Sequence, residues 1–539
     1  MRTPEENIQL ANMLFPSTLR TPEEVEKMFP ARSLEDGAMV LRFAPSPTGF
    51  LHIGSVYTGM LCTILAKQSK GISILRIEDT DKNREVENGV STIVDGLAGF
   101  GINFDEGMTS ETNSNGNYGP YIQSQRLDIY QTYAKAMVAN GSAYPCFITE
   151  EELGEIRKQQ EAMGVRTGYY GQWAKWRDAS LEDIEGKISN GEKFVIRLYS
   201  TGNIENTFHT KDLVKGELTL RENDMDAVLL KSDGFPTYHF AHPVDDHLMG
   251  ITHVTRGDEW LPSEPLHREI FEKLGFKLLP NGHFSPLSKL DDGKKRKLSK
   301  RKDPEADVQY YIEKGYPKDG VKEYLLNIAN SNFYDWKVQN SGKSSDEFIL
   351  RWEKFNRAGA LFDIVKLDDM CKDYIAFLTA QEVYDMALEW ANSYNDEVAS
   401  LLKDNKEYCI SIFNIEREGK KVRKDLVKFE DIKSQLTIFF DELFLTTNYE
   451  NISERINTEK QKEILKVYSE VFKLENSVEV WFEGVKKLAE KFECSAGDVA
   501  MILRVAVTGK TKSPDLYQVF CVLGEEKVKE RLKRYQSSI

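Results

Sequence analysis

Apolar positions between 38 and 77 follow three rhythms. AMVLRF (38–43) is a short, nearly continuous apolar run and predicts a strand. Over 55–70, Val56, Met60, Leu61, Ile64 and Leu65 recur at helical spacing, and Gly71 is expected to close that helix. ISILRI (72–77) is again nearly all apolar, as in a strand covered on both faces of a parallel sheet. Strand, loop, helix and strand in this order predict a doubly wound, Rossmann-type α/β domain.

Residues 143–235 break the pattern. A charged helix (150–163), an aromatic patch (GYYGQWAKW, 168–176) and short strands at 193–199 and 226–232 read as an insertion. From about 303 the periodicity is helical almost throughout. The segments predicted are an extension (1–38), two α/β halves (39–142 and 236–302) around the insertion (143–235), a connecting region (303–370) and an all-α C-terminal region (371–539). TPEE occurs twice, at 3–6 and 21–24, a similarity too short to define a repeat.

Length and composition narrow the class. A chain of 539 residues exceeds a single core and suggests about three to four domains. With no apolar run of about 18 residues, no membrane span is expected. The acidic N-terminus has no apolar leader segment, which predicts a cytoplasmic protein. Six cysteines lie far apart without a C-x-x-C pair, so neither a disulfide framework nor a cysteine zinc site is expected. A net charge of −15 speaks against nucleic acid, but charge acts locally. KKRKLSKRK (294–302) has seven basic side chains in nine, either a solvated loop or a contact for polyphosphate or RNA backbone.

FAPSPTGFLHIG (43–54) raises the chemistry. Pro45 and Pro47 stiffen the loop, Gly49 and Gly54 permit close backbone approach, and His52 arrives where a helix starts. A helix N-terminus at the carboxyl end of a strand is a phosphate site. A proline-rich turn with a capping histidine is the plainer reading of these residues alone.

HIGS with KLSKR (297–301) resembles the HIGH and KMSKS signatures of class I aminoacyl-tRNA synthetases. RFAPSPTGFLHIG, LRIEDTDKNR, YGPYIQSQR, DGFPTYHFAHPVDDHLMGITHVTRGDEWL and KLSKRKD resemble bacterial-type glutamyl-tRNA synthetases. FDIVKLDDMCKDYI, EREGKKVRKD and LRVAVTGKTKSPDLYQVFCVLGEEKVKERL extend the resemblance into the helical tail. It covers about 40–535 and implies ligation of glutamate to tRNA(Glu) with ATP and Mg2+, by a monomer.

The resemblance assigns ATP to Gly49, His52, Gly54, Ser55, Lys297, Ser299 and Lys300, with His52, Lys297 and Lys300 acting on the phosphates. It assigns glutamate to Arg42, Ala44, Ser46, Glu78, Tyr238, His242 and Arg256. Guanidinium forks suit the carboxylates, and Glu78 suits the ammonium. Tyr170, Trp173 and Arg177 of the insertion, and Lys421, Arg423 and Arg504 of the tail, are the candidates for tRNA. The aromatic patch reads equally as a small buried cluster.

Two departures from the family pattern stand out. His242-Pro243 replaces Asn-Val, and a proline there argues against a continuous helix. Cys146 stands alone where some relatives hold zinc, so no structural zinc is expected. Five of the eight histidines fall between 239 and 267, beside Asp245 and Asp246; pocket lining and packing are expected there rather than a metal. The rival readings are a glutamine-specific or truncated relative and a catalytically silent RNA-binding protein. The helical tail opposes the first two, and the retained signature groups oppose the third.

Overall fold

The computed structural model describes residues 2–18, 20–81, 86–299, 301–417, 422–475 and 477–539. Val40–Phe43, Ile72–Leu75 and Glu106–Met108 run parallel in one sheet, with Ser114–Asn115 antiparallel at its edge. On the other side of Val40–Phe43 the chain returns as Val254–Gly257, paired in parallel with Asn281–Phe284. There the Thr252 N–H donates to the Val40 carbonyl at 3.0 Å. The chain leaves Val40–Phe43 toward one side first and fills the other side after the insertion. The carboxyl end of this strand is therefore the topological switch point of a doubly wound sheet.

The helix after the first strand spans Ile53–Gln68, two residues earlier at each end than the periodicity predicts. The reason is His52, whose side chain caps the first turn. At the other end the closing residue is also different. Lys70, not Gly71, takes the left-handed conformation, at φ 55°. Gly71 is needed for a separate reason: a Cβ there would lie 1.8 Å from the Met39 carbonyl oxygen. Gly71→Ala is expected to cost about 1–3 kcal/mol, because backbone must shift to admit the methyl group. A thermal melt of the variant against the parent measures it; an unchanged midpoint would contradict the close approach.

The insertion forms a three-stranded antiparallel sheet (Ala143–Cys146, Val195–Leu198, Val228–Leu230) with helices Glu150–Ala162 and Leu181–Ser189. It also contains a hairpin, Thr207–Asp212 with Gly216–Arg221, that the sequence reading did not identify. The aromatic patch is largely core. Tyr169 and Ala174 are buried with Tyr144, Cys146 and Ile156, and Trp173 and Trp176 pack against them. Cys146 Sγ lies 3.4 Å from the Tyr169 hydroxyl.

The two TPEE segments turn out to be one device used twice. Thr3 and Thr21 each cap a helix, Pro4–Leu14 and Pro22–Met28, with proline in the first turn and Glu6 or Glu24 closing a capping box. Leu10, Ala11, Phe15, Val25 and Phe29 of this extension are buried, and the first helix packs on helix Leu127–Ala139. Arg32 then forks onto Glu106 with two bonds of 2.8 Å.

The chain divides into two compact units, residues 1–310 with 325–362, and residues 311–324 with 363–539. Among the described residues the second unit contains helices and no strand. Its core is continuous through Val383, Leu436, Phe439, Leu503, Val519 and Leu532.

Candidate active site

Loop 44–52 leaves the switch point and lines a cavity of about 680 Å³. Gly49, His52, Gly54, Ser55, Lys297 and Ser299 all face it, so six of the seven residues assigned to ATP meet in one place. The seventh, Lys300, lies outside the described residues. Gly49 has φ 109°, which glycine adopts without strain. His52 is the N-cap, and its Nδ1 accepts the Gly54 N–H at 2.8 Å. A nitrogen that accepts carries no proton, so the ring's proton is on Nε2. The capping and functional readings of His52 are thus compatible, since each uses a different nitrogen.

Lys297 ends the hairpin Ser288–Asp291/Lys294–Lys297. Its ammonium lies 3.4 Å from Glu259, in a pair more than half exposed on the lysine side. Such a pair is weak and readily exchanged for phosphate. The loop that follows is anchored by Asp303, which takes a fork from Arg296 (2.6 and 2.8 Å) and the Ser299 N–H (3.0 Å). The Arg296 bond holds the Asp303 carboxyl down at about 2.

Behind the cavity lies a buried polar cluster of three guanidinium and three carboxyl groups. Arg42 Nε donates to Asp246 at 3.1 Å, and Arg76 Nη1 to the same carboxylate at 2.8 Å. Arg126 Nε donates to Asp245 at 2.7 Å, joined by Tyr130 and Gln123. Arg76 Nη2 reaches Glu78 at 3.3 Å. Burial disfavours the charge on Asp246, but Arg42 and Arg76 outweigh it and hold the carboxyl well below its usual range. Glu78 goes the other way. Burial pushes it up to about 7, against the pull of Arg76 and Arg42.

Tyr238, His242 and Asp246 share one face of helix Tyr238–Leu248, as their spacing predicts. The expectation of a broken helix is overturned: Pro243 lies inside a continuous one. It removes the N–H that would bond the His239 carbonyl, a cost of about 3 kcal/mol in a helix interior. Full burial of Phe240, Ala241 and Val244 on the same helix offsets that cost. His242 Nδ1 donates to Asp246 at 3.2 Å, and burial pushes the ring's pKa down to about 3. His242 Nε2 is buried and without a partner among the described residues. Tyr238 stacks on Trp260 at 4.1 Å. Arg256 is held by Asn281 at 2.9 Å, His267 at 3.0 Å and Glu264 at 3.3 Å.

Asp246 and Arg76 link Arg42, His242 and Glu78, the Tyr238 ring packs on His242 at 4.9 Å, and His267, 4.3 Å from the His242 ring, holds Arg256; Ala44 and Ser46 are on the loop that follows Phe43. Sequence reasoning passed over Arg76, Arg126, Trp260, Glu264 and Asn281, and took His267 only as one of five histidines lining the pocket or packing. One signal was present: an arginine inside the apolar run ISILRI and two adjacent aspartates on an otherwise buried helix are charges that need partners.

The candidate tRNA residues are placed differently. Tyr170 donates its hydroxyl to the Arg166 carbonyl at 2.6 Å, and Trp173 is half-buried against the insertion core. Arg177 pairs with Asp226 through Nε at 2.8 Å. Arg423 is tied to Asp425 and Gln435, and Arg504 to the Ser513 and Pro514 carbonyls at 3.1 and 3.0 Å. Lys421 lies outside the described residues. Among the described residues, no group of three or more His, Cys, Asp or Glu side chains is arranged to hold a metal ion, and no helix is long and apolar enough to cross a membrane.

The sequence model for the catalytic domain of class I tRNA synthetases (E and Q) matches residues 38–356, and that for an anticodon binding domain matches 382–536. The glutamate–tRNA ligase of Acetivibrio thermocellus is 45% identical over 98% of this chain and 99% of its own length. The chain belongs to the glutamate–tRNA ligase family. Another glutamate–tRNA ligase, from Sorangium cellulosum, is 41% identical over 96% of this chain and 98% of its own. The crystal structure of a glutamate–tRNA ligase from Elizabethkingia meningosepticum in complex with its amino acid superposes with a TM-score of 0.76 at 27% identity, covering 93% and 99% of the two chains.

Proposed function

We propose that this chain activates L-glutamate with ATP and transfers it to the 3′ end of tRNA(Glu). The observation that carries the proposal is the meeting of His52, the helix start and Lys297 in one cavity whose lining includes Phe43 and Gly257, the chain neighbours of Arg42 and Arg256, and Pro45, whose carbonyl accepts the Glu78 N–H at 3.0 Å. In the first step an oxygen of the glutamate α-carboxylate attacks the α-phosphate, and pyrophosphate leaves. In the second, a ribose hydroxyl of the terminal tRNA nucleotide attacks the acyl carbon, and AMP leaves.

The chain's own groups position and neutralise. The first turn of helix Ile53–Gln68, the His52 Nε2–H and the Lys297 ammonium are proposed to meet the phosphates, whose charge shifts toward the leaving pyrophosphate, and Lys300 is proposed to act there with them. Mg2+ enters with ATP as its counter-ion. Arg42 and Arg256 take the two carboxylates, with Ala44 and Ser46 beside them; Tyr238 and His242 line the pocket, and Glu78 faces the ammonium. The ionised form of Glu78 is the one that meets the ammonium, and Arg256 adds the positive charge that suits an amino acid of net charge −1. Tyr170, Trp173 and the Arg177 region are proposed to meet the acceptor end, and the helical unit around Lys421, Arg423 and Arg504 the anticodon. A cytoplasmic monomer fits this role.

Exchange of labelled pyrophosphate into ATP tests the proposal. Exchange is expected with glutamate and not glutamine, and only when bulk bacterial tRNA is present. Folded protein that binds tRNA but shows no exchange with either amino acid would point to a silent RNA-binding relative.

A further inference from the structure

We infer that His267, its ring locked by His239, is a positioning residue that orients the Arg256 guanidinium before glutamate arrives. The inference rests on the reading above that Arg256 meets a glutamate carboxylate. Three elements converge on this point. Arg256 comes from strand Val254–Gly257, His267 from helix Glu264–Leu274 and His239 from the first turn of helix Tyr238–Leu248.

Arg256 Nη1 lies 3.0 Å from His267 Nδ1, and His267 Nε2 lies 2.9 Å from His239 Nδ1. A guanidinium nitrogen can only donate. His267 Nδ1 is therefore the acceptor, and the proton of that ring is on Nε2. This Nε2–H donates to His239 Nδ1, so the proton of His239 is on its own Nε2. The relay runs in one direction and requires both rings to be neutral. A proton on His267 Nδ1 would point at the Arg256 N–H. Burial lowers the pKa of both rings and keeps them in the required form.

The other guanidinium nitrogen is fixed from a different side. Arg256 Nη2 donates to Asn281 Oδ1 at 2.9 Å and to Glu264 at 3.3 Å, and Asn281 donates in turn to Glu264 at 2.9 Å. With Nη1 and Nη2 both tethered, the plane of the group is set, and Nε remains buried without a partner among the described residues. A histidine that merely filled core space would not have both ring nitrogens committed in sequence. Holding a recognition group by a second layer of hydrogen bonds lowers the ordering cost that the ligand would otherwise meet.

The test is tRNA-dependent pyrophosphate exchange with H267L, H267N, H267Q, H239L and R256Q. H267L is expected to raise KM for glutamate roughly 10- to 100-fold, the loss of a hydrogen bond to a charged group. KM for ATP should stay within about twofold, since uniform damage would move both constants. H267N puts an amide oxygen near the Nδ1 position and is expected to recover most of the loss. H267Q reaches the Nε2 position instead and should remain impaired. H239L frees the tautomer of His267 and should raise KM for glutamate by roughly 3- to 10-fold. If H267L does not fold, the H267N and H267Q pair decides, and equal KM values for glutamate in the two overturn the inference. An unchanged KM in H267L beside a raised KM in R256Q also overturns it, while leaving the role of Arg256 standing. An unchanged KM in R256Q overturns the underlying reading itself.

Discussion

Lys297→Ala is expected to lower kcat for glutamate activation by roughly 10²–10³, the effect of removing one donor aimed at charge that develops in the transition state. The ammonium sits at the rim of the cavity, 62% exposed, and its partner among the described residues is Glu259 at 3.4 Å. Little is lost in the folded protein when this pair is removed, so the melting temperature should move by less than the equivalent of about 0.5 kcal/mol. KM for glutamate should also hold, because the glutamate cluster lies behind the cavity and does not include Lys297. The decisive measurement is single-turnover formation of the adenylate. A variant that forms it at the parental rate would remove Lys297 from the phosphate chemistry.

Glu78→Gln should produce a second large effect with a distinctive pH signature. Its carboxyl is buried against Arg76 and stands at about 7, where an unfolded glutamate has 4.5. The sign follows from the raised value. Below about 4.5 the group is protonated in both states. Between 4.5 and 7 folding takes up a proton, and stability falls as pH rises through 7, by order of 3 kcal/mol in all. Glutamine cannot ionise, so the stability of the variant relative to the parent should increase from pH 5 to pH 8. Glutamate binding should show the opposite preference. The amino acid's ammonium needs the ionised carboxylate, and KM for glutamate should rise roughly 10- to 100-fold in the variant at pH 8. Parallel thermal melts and exchange assays at the two pH values check both halves. A difference in melting temperature that is flat with pH would show that Glu78 is ionised throughout.

Much of the cavity of loop 44–52 could be read from twelve residues. Prolines, glycines and a histidine before an amphipathic helix dictate a stiff loop, a close approach and a capped start, and these are local properties. The buried polar cluster proposed to take glutamate was legible only by family resemblance. Arg76 and Asp245 look like misplaced surface charges in an apolar run and an apolar helix, and nothing local names their partners. The hairpin 207–221 escaped for a related reason. Its turn is set by Asp212, which accepts the Val214 and Lys215 N–H groups and is itself buried against His283, a residue 71 positions away. Pro243 misled because the rule against proline in a helix prices one lost bond and ignores what the rest of the helix buries. The repeated TPEE was visible from the start, but four residues acquire meaning only when each is seen to begin a helix.

The buried cluster also has a consequence for the order in which the protein can be made. Arg42 and Arg76 precede Asp246 by 204 and 170 residues, and Arg126 precedes Asp245 by 119. A ribosome adding about 5–20 residues per second exposes the first arginine roughly 10–40 s before its carboxylate exists. Throughout that interval the segments that carry these arginines are not expected to close over them, since an uncompensated buried charge costs more than the packing returns. The nascent catalytic half is therefore expected to stay open while the whole insertion is synthesised. Emergence of a single pair of adjacent aspartates is the event that lets both halves of the sheet seal together.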